Sequence, residues 1–362
     1  MQPIPERRKI SPFLVFYLIH SVQVGVGVLG FQRVIAINAG YDSWISIILA
    51  GGLTHILMFM MYRIVQMSDG DLASAHTFAF GKWIGKIFSF IFVLYFAALV
   101  VTIIRTYIEV VQVWMFPRMN TFLFSLLFLL LVIYIVKGGI RTIAGVSFFG
   151  LILPSYLLLT FGFTFQYADF RNILPIFDHS IMDILKSMKS MSLTYLGYES
   201  ILLIYPFIKE GKASQKWAQW GLFASTVVYT FIGIISFAFF SEGQLKKTVW
   251  ATLSMWKILE LPFVERFEYI GIANWCLIIL PNACIAIWCA SRIVKRITPL
   301  KQSTSLIWLS LVCLSVLTLF PNREKIDMLN NILSQTGFYI NFVYIPFLFV
   351  LILVIKRVKK KL

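Results

Sequence analysis

Glu199 stands in Gly197-Tyr198-Glu199-Ser200-Ile201, far from any other acidic residue in a long apolar stretch. A carboxylate in such surroundings is costly unless it is protonated, paired or facing water. Three roles are open to it: accepting a ligand ammonium, carrying a proton, or latching one helix to another. A second feature is Gly25-Val26-Gly27-Val28-Leu29-Gly30. Glycine costs about 1 kcal/mol relative to alanine in a helix, so these three permit unwinding and close backbone approach. The alternative is a small-residue groove for tight helix packing. Unwinding at both places would leave carbonyls of one half-helix and amides of the next without partners. Half-helices starting near Leu29 and near Ser200 would offer positive dipole ends to a carboxylate, and the freed carbonyls would suit an ammonium. An amino acid is the simplest ligand with both ends.

Other polar residues interrupt the apolar stretches. Tyr95, Leu99 and Thr102 share one helical face, Pro281 removes an amide next to Asn282, and His20, Gln23 and His55 offer either a proton relay or neutral interhelical hydrogen bonds. Arg105 and Glu109, at the outer end of the third apolar run, either form a local i,i+4 pair or snorkel to the interface. Cys276, Cys284, Cys289 and Cys313 lie in apolar runs without a CxxC spacing or a histidine cluster, so free thiols are expected, with no metal and no cofactor. No nucleophile elbow or phosphate loop marks an enzyme.

The elements that must position these residues are membrane helices. The 362 residues are 59% hydrophobic and 13% charged, with a mean hydropathy of +0.83, which argues against a water-soluble domain. The net charge of +16 sits in short gaps between apolar runs, so nucleic-acid binding is not expected. A bilayer core needs about 20 helical residues per crossing. Ten runs meet this: 10–32, 43–62, 87–104, 120–136, 142–168, 190–208, 217–241, 269–291, 302–322 and 328–355. With the N-terminus in the cytoplasm, 20 of the 32 basic residues, including the tail Lys356, Arg357, Lys359, Lys360 and Lys361, fall on the inner side with four of the sixteen acidic ones. That satisfies the positive-inside rule and places both termini in the cytoplasm. Val249, Leu253, Trp256 and Leu259, bordered by Lys246, Lys247, Lys257 and Glu260, read as an amphipathic helix lying on the outer interface or as a docking site for a partner.

The ten spans divide into a single transmembrane domain of two halves, about 10–168 and 184–356, followed by the basic tail 356–362. Five spans per half make an inverted repeat, and the interruptions at Gly25–Gly30 and Gly197–Ser200 fall in the first helix of each half. The expected fold is therefore an all-α, ten-helix, leucine-transporter-like bundle with broken helices 1 and 6.

With these residues in view, the chain resembles the B subunits of spore germinant receptors. These belong to the spore germination protein family within the amino acid, polyamine and organocation transporter superfamily. Ile10-Ser11-Pro12, Gln23 through Arg33, Ala39-Gly40-Tyr41-Asp42-Ser43-Trp44-Ile45-Ser46 and Gly197-Tyr198-Glu199 carry the resemblance. It implies a non-enzymatic subunit in the spore inner membrane that senses a nutrient with a membrane A subunit and a lipoprotein C subunit. It also implies that the face of Tyr95, Leu99 and Thr102 looks onto the ligand. With Gly25, Gly27, Leu29, Gly30, Gly197, Tyr198, Glu199 and Asn282, those three make the expected ligand site. Sodium-coupled relatives use hydroxyls of helix 8, where this chain has Ala283, Cys284 and Ala286, so sodium coupling is not expected. The alternative function on the same fold is a proton-coupled amino-acid permease.

Overall fold

The computed structural model describes residues 4–259, 262 and 264–361. Glu260 lies outside them, as do the side chains of Lys360 and Lys361. Among the described residues there is no strand, and Ile10 is bridged to Ile208.

The helices run in chain order as α1 (Leu14–Gln23), α2 (Phe31–Ala39), α3 (Ser43–Met67), α4 (Leu72–Trp114), α5 (Thr121–Lys137), α6 (Ile140–Ile152), α7 (Tyr156–Leu159) and α8 (Ile181–Tyr195). They continue as α9 (Ile201–Ile204), α10 (Gln215–Phe239), α11 (Glu242–Lys247), α12 (Ala251–Trp256), α13 (Phe267–Ile297), α14 (Gln302–Leu317), α15 (Arg323–Tyr339) and α16 (Ile345–Lys361). Among the described residues, six helical stretches are long and apolar enough to cross a membrane: 31–67, 72–114, 140–167, 215–239, 267–297 and 323–359. Shorter apolar helices cover 14–23, 121–137 and 302–317.

Side-chain caps mark several starts. Asn120 accepts the Leu123 amide at 3.0 Å, Ser180 accepts that of Asp183 at 3.2 Å, and Asn322 accepts that of Lys325 at 3.2 Å. Each satisfies a first-turn donor that the helix itself cannot pair. The core is built on α13, which packs along α4 and against α6 and α14. Its buried middle carries Ala283, Cys284, Ala286 and Ala290, small residues that let helices approach where lipid offers no hydrophobic driving force. Around α1 and α2 stand α8, α10 and α13, with α15 packed on α4 and α8.

Several elements differ from the sequence expectation. The third run, expected at 87–104, is embedded in α4, where the helix after Gly81 runs over 82–114, about 50 Å at 1.5 Å per residue. Charge-free runs stop at Lys86 and Arg105, but the helix continues through both. Left-handed Gly81, at φ +78°, separates its first two turns from the rest. The sixth and tenth runs start earlier, at Ile181 and Arg323, because capped polar turns precede their apolar parts. The half-helix expected from Leu29 starts at Phe31. The segment 249–259 does not lie on the outer interface: Leu253, Trp256 and Leu259 are buried, and Trp256 stacks on Phe161 at 5.7 Å and meets Trp275. The same apolar stripe that suits lipid suits the inside of a bundle.

Candidate functional site

The chain between α1 and α2 forms a 3-10 turn over Val26–Leu29, so the α-helical ladder is interrupted at buried depth. The carbonyls this releases are taken by side chains from remote elements. Gln23 O accepts from Tyr229 Oη at 2.6 Å, Val24 O from Asn282 Nδ2 at 3.4 Å, Gly25 O from Trp275 Nε1 at 3.2 Å and Val28 O from Thr252 Oγ1 at 2.7 Å. Thr252 accepts in turn from Gln32 Nε2 at 2.7 Å, and Gln32 also donates to Ser236 Oγ at 3.2 Å. These four carbonyls are therefore not waiting for an ammonium group. What the interruption leaves open is the start of α2, where Gly30 is the cap residue and no side chain caps the first-turn amides. The approach is close: a Cβ on Gly30 would lie 2.4 Å from the Val249 carbonyl oxygen.

A second interruption separates α8 from α9. Leu196 is extended, Gly197 has φ +107°, and Tyr198–Ser200 form a 3-10 turn before Ile201. That left-handed φ favours glycine, and a Cβ here would also meet Val22 Cβ at 2.9 Å. Glu199 is fully buried. Its Oε1 accepts the Tyr95 hydroxyl at 2.6 Å, and both its oxygens accept the Gly197 amide, at 3.1 and 3.0 Å. The carboxylate thus joins α4 to its own interruption.

Beside the first interruption is a cavity of about 270 Å³. Of the residues expected at the ligand site, Gly25, Gly27, Gly30, Leu99, Thr102 and Asn282 line it. Leu29, Tyr95, Gly197, Tyr198 and Glu199 do not: Leu29 and Tyr198 are core residues, and Tyr95 turns to Glu199. The expected face of α4 is thus split between a cavity wall and a latch. Sequence reasoning missed much of the opposite wall. Gln23 and Thr194 line it, as do Asp327, Asn330 and Ser334 of α15. The signal is in the sequence, because Arg323, Asp327, Asn330 and Ser334 recur at helical spacing, but the first two precede the tenth run and the other two are polar positions within it whose shared face only the longer helix reveals.

Arg323 forms one edge of the cavity and pairs with Glu109 of α4 at 2.9 Å and with Asp327 at 2.7 Å. The local Arg105–Glu109 pair is not what forms: Arg105 Nε donates to Phe320 O at 2.6 Å and its Nη2 to Pro321 O at 3.3 Å. An i,i+4 pair gains little, whereas carbonyls at the end of α14 offer Arg105 a fixed acceptor set. His20 Nδ1 meets Ser225 Oγ at 3.0 Å, and His55 bonds Gln219, so both imidazoles link helices. The four cysteines are free; Cys276 is half-buried and the others are buried.

A model of the family described as "Spore germination protein" matches residues 9–326. Spore germination protein GerQB of Bacillus cereus is 43% identical over 97% of this chain and 98% of its own length. The chain belongs to the spore germination protein family. Spore germination protein A2 of Bacillus subtilis is 24% identical over 96% of both chains. Among solved structures, MhsT in complex with L-phenylalanine superposes with a TM-score of 0.69 at 14% identity, covering 95% of this chain and 88% of that one. Mhp1, a nucleobase-cation-symport-1 family transporter with bound bromovinylhydantoin, gives 0.64 at 13% identity, covering 97% and 79%. This spore germination family member is thus an integral, multi-pass membrane protein with the helical fold of these transporters.

Proposed function

We propose that the protein is the nutrient-sensing B subunit of a spore germinant receptor in the spore inner membrane. In this reading the chain crosses the membrane ten times with both termini in the cytoplasm. Its two halves form an inverted repeat, and α1–α2 and α8–α9 are the broken helices 1 and 6. A small nutrient, an amino acid, binds in the cavity beside the first interruption. Occupancy is passed to a membrane A subunit and a lipoprotein C subunit.

The observation that carries this reading is the cavity of about 270 Å³ set against the uncapped start of α2. Unpaired amides and the dipole favour a carboxylate there. The volume is below the roughly 300–1,000 Å³ of sites for drug-sized ligands, which suits a metabolite the size of an amino acid. Asn330, Thr194 and Gln23 offer polar groups for the other end of the ligand. Glu199 is assigned the latch role, since its oxygens are engaged and it lies outside the cavity wall.

The test is the nutrient dose response of spores carrying Gly27→Ala or Leu99→Phe at wild-type abundance. Both changes fill the cavity, so the half-maximal nutrient concentration should rise about tenfold, equivalent to about 1.4 kcal/mol, while nutrient-independent germination is unchanged. An unmoved dose response would exclude the cavity as the sensing site. The transporter fold of MhsT and Mhp1 favours a proton-coupled permease as the second reading. Proton-driven accumulation of the nutrient by the protein alone in liposomes would support that reading over sensing.

A further inference from the structure

At the end of the bundle that carries the basic loops lies a separate cavity of about 350 Å³. Six cationic side chains line it: Arg7, Arg8, Lys137, Arg141, Arg292 and Lys295. No carboxylate lines it among the described residues; Glu6, close in sequence, is engaged with Lys9 at 2.7 Å. Two helices also begin there. Gly139 is the cap residue of α6 and Lys301 that of α14, and neither helix start has a side-chain cap. Ile140 and Arg141 of the first and Gln302 and Ser303 of the second are in the cavity wall. Unpaired first-turn amides from two helices therefore add their partial positive charge to that of the side chains.

The positive-inside rule asks only for charge on the flanking loops and is met by solvated side chains. It does not ask for a built concavity with a buried guanidinium. Arg292 is 8% exposed, its Nε has no hydrogen-bond partner, and its guanidinium lies 4.8 Å above the Phe207 ring, another wall of the cavity. The carboxylate whose field reaches Arg292, Asp71, is held by Arg296 at 2.8 Å, and burying a cation beside so many like charges is costly unless a further anion completes the set. Gly139, at φ +83°, turns the chain so that Lys137 and Arg141 both reach the cavity from either side of the α5–α6 connection. Trp288, Leu306, Val136 and Ile140 supply an apolar side to the same space.

We propose that this cavity is a binding site for a phosphate group. A tetrahedral oxyanion presents several acceptors at once and is the ligand that both guanidinium groups and helix starts recognise. The group can be the headgroup of an anionic lipid, for which basic pockets between helix ends are suited, or a free phosphate. The site is distinct from the nutrient cavity, which shares no lining residue with it.

The experiment is isothermal titration of the full-length protein in neutral detergent with dioctanoyl phosphatidylglycerol, dioctanoyl phosphatidylcholine and inorganic phosphate. Phosphatidylglycerol should bind at least about tenfold more tightly than phosphatidylcholine, and the exposed-site double variant K137Q/R141Q should lose about tenfold or more in affinity. K356Q/R357Q removes the same charge from the tail and should leave binding unchanged. Inorganic phosphate binding as tightly as phosphatidylglycerol, with the same sensitivity to K137Q/R141Q, would identify the free anion as the source. Tighter binding of the lipid would identify the headgroup. Failure of phosphatidylglycerol and phosphate to bind above phosphatidylcholine, or equal loss in the two double variants, would overturn the proposal.

Discussion

The Tyr95 hydroxyl donates to Glu199 Oε1 at 2.6 Å, tying the middle of α4 to the interruption between α8 and α9 across 104 residues of sequence. Tyr95→Phe takes the hydroxyl donor from a fully buried carboxylate, a loss worth about 1–3 kcal/mol for a buried group stripped of a partner. The expected outcome is a lower unfolding temperature and reduced abundance. Thermal unfolding of the purified protein checks it.

Glu199→Gln separates the latch from a ligand role. A glutamine keeps the shape and its Oε1 can still accept the Gly197 amide, but its own amide then faces Tyr95, whose hydroxyl must turn from donor to acceptor and whose charge-assisted bond is lost. Abundance should fall, and the dose response of the protein that survives should stay within about twofold of wild type, a shift of well under 1 kcal/mol. A normal abundance with a dose response displaced to much higher nutrient concentration would instead make Glu199 the ammonium acceptor.

The three glycines of the first interruption should respond differently. Gly30→Ala meets the Val249 carbonyl at 2.4 Å, a backbone atom that cannot swing aside, so folded protein should be lost. Gly27→Ala meets only Thr194 Cγ2 at 3.2 Å and should fold. Gly25→Ala meets the Asn282 amide at 2.9 Å and should loosen the bond to Val24 O. Size-exclusion profiles and unfolding temperatures of the three variants read this order.

Thr252 tests how firmly α12 is tied to the first interruption. Thr252→Val removes the donor to Val28 O and the acceptor of Gln32, and should destabilise the protein by about 1–3 kcal/mol. Adding Gln32→Leu should recover part of the loss, since the glutamine amide is then no longer stranded. A double-mutant cycle on unfolding temperature measures the coupling.

Much of the site's backbone is legible in residue types. The glycines at 25, 27 and 30 and Gly197 beside Glu199 mark the places where α1 gives way to α2 and α8 to α9. Local chemistry decides those interruptions, and local chemistry is visible in a sequence. The partners are not. Tyr229, Trp275 and Thr252 lie more than 200 residues from the carbonyls they satisfy, and nothing in their own neighbourhoods points to the first interruption. Arg323 takes Glu109 from Arg105 for the same reason. The stripe of α12 has the pattern of an interfacial helix, and only its neighbours Phe161 and Trp275 show that it is enclosed.

The proposed nutrient site is the cavity between the α1–α2 interruption, α4 and α15. Equilibrium binding of a panel of labelled amino acids to the purified full-length protein, alone and with the proposed A and C subunits, tests it most directly. Wild type should bind one or a few of the panel saturably. Gly27→Val should weaken that binding by at least about tenfold at an unchanged unfolding temperature, while Gly52→Val, with no atom within 4 Å of its added Cβ, should not. Equal affinity in Gly27→Val and wild type would exclude this cavity as the nutrient site.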